Sequence, residues 1–79
     1  MKERLVTFHT HLGAVKLYRE LSRQKFAVRM MPVPRVLSSS CGTCLRTSYD
    51  GPAEDLLTDD VQGVYEVEAD GYRLLKGEN

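Results

Sequence analysis

The hydrophobic period changes within the first 21 residues, and that change limits the chain to folds that mix sheet with helix. From 5 to 10 the pattern alternates, with Val6 and Phe8 on one side and Leu5, Thr7 and His9 on the other. A strand with its two faces in different surroundings has this period. From Ala14 onward the period is helical. Ala14, Leu17, Tyr18 and Leu21 fall at i, i+3, i+4 and i+7, while Lys16, Arg19, Glu20 and Arg23 take the outer face. Thr10, between the two segments, is the expected N-cap, because its hydroxyl can accept an amide hydrogen that the first turn of a helix leaves unpaired.

Alternation returns from 26 to 33, with Val28 and Met30 on one side. Pro32 and Pro34 lack the amide hydrogen that an interior strand donates, which places this second strand at a sheet edge. Leu45, Thr47 and Tyr49 predict a third strand, Asp50-Gly51-Pro52 ends it, and residues 52 to 58 predict a short helix with Pro52 near its first turn. A fourth strand is expected over 64 to 68. Asp70-Gly71 then marks a turn, followed by a hairpin return through Tyr72, Leu74 and Leu75 or by a tail.

The order β-α-β-β-α-β predicts an α+β fold of the ferredoxin-like kind, a four-stranded, mostly antiparallel sheet with two helices on one face. The third strand then lies between the first and the second. Val6, Phe8, Val28, Met30, Leu45, Tyr49, Tyr65 and Val67 are expected under the helices. Thr7, Arg29, Cys44, Arg46, Glu66 and Glu68 are expected on an open, mixed-charge side. Since 79 residues cannot bury two independent cores, the expectation is one domain over 1–79 with its core at about 5–68.

Eleven basic and eleven acidic residues cancel, so the chain lacks the positive surplus that draws nucleic acid or anionic lipid. The apolar stretch after Met1-Lys2-Glu3-Arg4 is short and broken by His9 and His11. It fits neither a signal peptide nor a spanning helix, and the expected location is the cytoplasm, with neither membrane nor nucleic acid as a partner. In that reducing compartment, two cysteines three apart point to redox, metal or carrier chemistry before they point to a structural disulfide.

The chemistry concentrates in Ser38-Ser39-Ser40-Cys41-Gly42-Thr43-Cys44. In the predicted topology Cys41 lies at the carboxyl edge of the first strand, beside His9, Thr10, His11 and the start of the helix. A helix N-terminus, a protonated imidazole and the guanidinium of Arg35 or Arg46 would each favour a thiolate there, the form that attacks sulfur. Ser39, Ser40 and Gly42 add small side chains and exposed amides able to hydrogen-bond a charged sulfur. Against this stands the ordinary reading of each group. A cysteine is most often a small buried hydrophobe, a serine run a solvated loop, and histidines and arginines polar surface residues. For Cys44, inside the third strand, the ordinary reading is preferred.

The C-x-x-C spacing also suggests a thioredoxin-like dithiol, but there the motif opens a helix, and here it feeds a strand. In an extended chain the two Cα atoms lie about 10 Å apart, beyond the roughly 7 Å limit for a disulfide. His9, His11, Cys41 and Cys44 have the right atoms for zinc. A strand, however, points His9 and His11 to opposite faces, and neither a metal nor another cofactor is expected.

Thr7-Phe8 with Thr10-His11, the run Pro32-Val33-Pro34-Arg35, and Ser38-Ser39-Ser40-Cys41-Gly42 with Leu45-Arg46 closely resemble the Se/S carrier protein-like family, small bacterial domains of unknown function. The likeness runs from about Val6 to Tyr65. It implies a short βαββαβ domain with Cys41 as the proposed carrier atom, and it carries over His11, Arg35 and Ser40 as motif positions without roles. Cys44 departs from the family pattern; a thiol there would either resolve a persulfide or be incidental. The leading expectation is therefore a non-catalytic carrier that holds a persulfide or selenopersulfide on Cys41 and exchanges it with donor and acceptor proteins. The alternative is an interaction or regulatory module that docks a partner or forms a homodimer through its open sheet face. A thiol-redox or zinc-binding protein comes third.

Overall fold

The structure is a computed structural model and describes residues 3–37, 39 and 41–77. Strand β1 (Arg4–Phe8) occupies its centre. Leu5, Val6, Thr7 and Phe8 are all fully inaccessible, so both faces of this strand need cover and both edges need partners. The chain supplies them with β2 (Val28–Pro32), β3 (Thr43–Thr47), β4 (Val61–Glu68) and β5 (Gly71–Gly77), in one sheet of order β2-β3-β1-β4-β5 with every neighbour antiparallel. The third strand lies between the first and second, and Pro32 sits in an edge strand, as its missing donor requires.

One helix, α1 (His11–Arg23), crosses one face. Thr10 caps it: its Oγ1 accepts from the Gly13 amide at 3.1 Å, a bond worth about 1 kcal/mol to a helix. The other end closes without the glycine that usually serves there. Lys25 takes a left-handed φ of 68°. The Lys25 amide then donates to the Ser22 carbonyl at 2.9 Å and the Phe26 amide to the Leu21 carbonyl at 3.0 Å, the paired bonds of a Schellman end. Leu21 and Phe26 join the helix-side core with Val6, Phe8, Ala14, Leu17, Leu45, Leu56, Val61 and Val64.

The ferredoxin-like expectation of four strands and two helices does not hold. The segment expected to be a second helix makes only a 3₁₀ turn over Ala53–Leu56, and β5 extends the sheet to five strands. The reason is length. Val61 already pairs with Phe8, so fewer than ten residues separate Pro52 from the next strand, and Leu56 alone of this turn is buried. A segment this short, with one apolar anchor, cannot offset the cost of helix nucleation. Strand β5 instead pairs with β4 at the sheet edge, and its Tyr72 and Leu74 pack on the face away from α1.

The expected division into a covered and an open face also needs correction. Tyr65 and Val67 lie away from the helix, where Leu5, Cys44 and Tyr65 form a second core packed by Met31, Val33, Leu37, Val67, Tyr72 and Leu74. Val64 takes the helix side, and buried Glu66 pairs in register with Arg4 rather than facing open water. A strand buried on both faces carries apolar residues at both parities, so alternation cannot orient it. The register also slips between Thr7 and Phe8, a bulge that periodicity does not reveal.

Gly13 sets how closely the start of α1 approaches β4. A Cβ placed there would lie 2.4 Å from the Cβ of Asp60, a clash that only backbone movement can relieve. Gly13→Ala should therefore destabilise the fold by about 1–3 kcal/mol in urea unfolding, despite alanine's higher helix propensity. Gly71→Ala, where a Cβ meets nothing within 4 Å, should stay within about 0.5 kcal/mol of the parent.

Candidate functional site

Residues 33–42 connect β2 to β3 and carry the serine and cysteine motif. The connection opens with Val33, whose amide donates to the Gly42 carbonyl at 3.2 Å beside the Pro32–Thr43 pair. A turn follows in which the Leu37 amide donates to the Pro34 carbonyl at 3.0 Å. Val33 and Leu37 pack onto the face away from the helix. Arg35 and Val36 are exposed at the turn, Val36 at 77%.

The chain then returns to the end of β1. Ser39 Oγ donates to the Phe8 carbonyl at 2.8 Å, and Cys41, half-buried, packs against the helix-side core. The Cys41 thiol donates to the Thr43 carbonyl at 3.3 Å, and its sulfur lies 4.0 Å from Ser39 Oγ. Gly42 has φ 73° and open space where a Cβ would stand. It supplies the left-handed step that turns the loop into β3, a step a side chain would strain.

Through Ser39 and Phe8 the loop is tied to the junction of β1 and α1. There the His9 amide donates to the Asp60 carbonyl at 2.8 Å, and His11, exposed, is the first residue of α1. Ser38 and Ser40 lie outside the described residues. Arg46 does not join this site. It stands farther along β3 between Leu5 and Arg29, and its guanidinium forms an ion pair with Glu3. Periodicity gave no sign of that partner, nor of the backbone carbonyls of Phe8 and Thr43 that hold Ser39 and Cys41.

Cys44 has a different environment. It is fully buried on the face away from the helix, and its thiol donates to the Pro32 carbonyl at 3.6 Å. Burial, with a smaller contribution from the charge of Cys41, pushes its pKa up to about 11. Both cysteines are free thiols on opposite faces of the sheet. Among the described residues no three His, Cys, Asp or Glu side chains gather to hold a metal ion, so His9, His11, Cys41 and Cys44 do not form the zinc set their atom types allow. Among the described residues no helix is long and apolar enough to cross a membrane.

Residues 3–58 match the family described as Putative Se/S carrier protein-like. The matched stretch is most of the chain and includes the whole loop, and the chain belongs to this family. No curated protein and no solved structure matches it.

Two measurements follow from the contrast between the cysteines. At pH 8 a thiol with the pKa of Cys44 is ionised in roughly one molecule in a thousand. Limiting iodoacetamide should therefore modify Cys41 in the native protein and reach Cys44 only after unfolding. Peptide mapping that finds Cys44 labelled first would reverse the assignment. The second measurement is of stability. Cys44 returns from about 11 to its ordinary 9.0 on unfolding, so between these values the folded state holds a proton the unfolded state has lost. Stability should fall as pH rises from 9 to 11, and Cys44→Ala should lessen that fall in urea titrations.

Proposed function

We propose that this protein is a non-catalytic carrier in which Cys41 receives a terminal sulfur or selenium atom from one protein and passes it to another. The observation that carries the reading is the unequal treatment of two thiols on one short segment. Cys41 is the half-buried member, in a small-residue loop with a hydroxyl near its sulfur, whereas Cys44 is buried and held protonated. Membership of the Se/S carrier protein-like family supports the same cargo class.

The transfer needs no oxidant and no cofactor. The Cys41 thiolate attacks the outer sulfur of a donor persulfide; the new S–S bond forms at Cys41 as the donor's own S–S bond breaks. The donor leaves as a thiolate and takes up a proton. Delivery is the same exchange in reverse, with an acceptor nucleophile attacking the outer sulfur and Cys41 leaving. A selenopersulfide follows the same course with selenium as the outer atom. The partners are the donor and acceptor proteins, and the chain contributes an accessible nucleophile and a surface to dock on. A dithiol redox role has less support, because the two sulfurs lie on opposite faces of the sheet.

The test is intact mass spectrometry of the reduced protein after incubation with a cysteine desulfurase and cysteine. The parent and Cys44→Ser should each gain about one sulfur atom that a reductant removes, and Cys41→Ser should gain none. A gain that persists in Cys41→Ser would defeat the proposal.

A further inference from the structure

We propose that Ser39 is the positioning residue for Cys41. Its hydroxyl holds the loop to the end of β1 while the sulfur is protonated, and turns to donate to the sulfur when the sulfur is charged. This deepens the carrier reading and rests on it for the cargo, but the charged sulfur can be examined without cargo.

The thiol of Cys41 and the hydroxyl of Ser39 each have a single hydrogen to give. Cys41 gives its hydrogen to the Thr43 carbonyl at 3.3 Å. When that proton leaves, the Thr43 carbonyl offers the sulfur only lone pairs, and among the described residues the Ser39 hydroxyl is the side-chain donor beside it. Ser39 gives its own hydrogen to the Phe8 carbonyl at 2.8 Å, while its oxygen stands 4.0 Å from the Cys41 sulfur. A hydroxyl rotates about its C–O bond and can serve either acceptor, but not both at once. Between a neutral carbonyl and an anionic sulfur the charged acceptor makes the stronger bond, by about a factor of two. The hydrogen therefore moves to the sulfur on ionisation, and the Phe8 carbonyl gives it up. Because one bond is exchanged for another, the net effect is modest, a several-fold change in the thiolate population at neutral pH.

Other titratable groups come to this end of the sheet from each neighbouring element. Among the described residues they include His9 and His11 at the β1–α1 junction, Asp59 and Asp60 before β4, Arg35 at the loop turn and Cys44 in β3. All but Cys44 remain in place in every variant compared, so their titration cancels in the ratio of rates.

The experiment follows iodoacetamide alkylation of Cys41 from pH 6 to pH 10 in the Cys44→Ser background. Ser39→Ala should slow the reaction about three- to ten-fold at pH 7 and leave it unchanged at the alkaline end, where the thiol ionises without help. Ser39→Thr, which keeps the hydroxyl, should restore the neutral rate to within about two-fold. A uniform change at every pH, or no change at any, overturns the proposal; the first would show that Ser39 acts only on the shape of the loop. A measurement on the unaltered side chain keeps the test open if Ser39→Ala does not fold. The Phe8 carbonyl ¹³C resonance should shift in step with ionisation of Cys41, and a Phe8 carbonyl that ignores that step also overturns it. If these results hold and the desulfurase experiment fails, the hydroxyl switch stands and the cargo reading falls.

Discussion

Burial of β1 on both faces is the constraint from which the rest of the architecture follows. Leu5, Val6 and Phe8 are each removed from water, which stabilises a fold by about 1.5–3 kcal/mol per side chain. That gain is available only if every backbone group of the strand finds a partner. Pairing with β3 on one edge and β4 on the other meets this demand. Even Thr7, polar and wholly buried, places its hydroxyl 3.4 Å from the Gly63 carbonyl, with its hydrogen directed there. The helix leaves from the end of this strand, and the motif loop is bonded back to the same end by Ser39.

Much of this was legible where one side chain decides one local outcome. The helix start at Thr10 and the edge position of Pro32 each follow from a single chemical property of the residue concerned, and the extended backbone at Cys44 follows from the alternation of Leu45, Thr47 and Tyr49 after it. Residues 52–58 suggest a helix by composition, but they lack the length and the apolar stripe a helix needs. Val64, Tyr65 and Val67 place apolar side chains at both parities, so alternation does not tell which face of β4 the helix covers. Sequence pattern orients a strand that has one wet face, and this sheet has no such strand at its centre.

The candidate site was legible to the same degree. The loop, its cysteine and its place at the end of β1 could be inferred from order and topology. Arg46 could not be separated from the site without knowing that Glu3 lies beside it. The helix N-terminus expected to serve Cys41 has the Asp60 side chain packed against Gly13 in its first turn. The family match ends at residue 58, before β4 begins, so the stretch that carries the motif depends on a later hairpin for half the pairing of its central strand.

The placement of the two cysteines on opposite faces bears on how long a cargo would last. A persulfide close to a second thiolate discharges itself: the thiolate closes a disulfide and hydrogen sulfide escapes. Here the backbone of the sheet separates the pair, and Cys44 keeps its proton at any ordinary pH. A sulfur atom loaded on Cys41 would then leave only when another molecule arrives to take it. The lifetime of the loaded form would be set by encounters between proteins rather than by a clock inside this one.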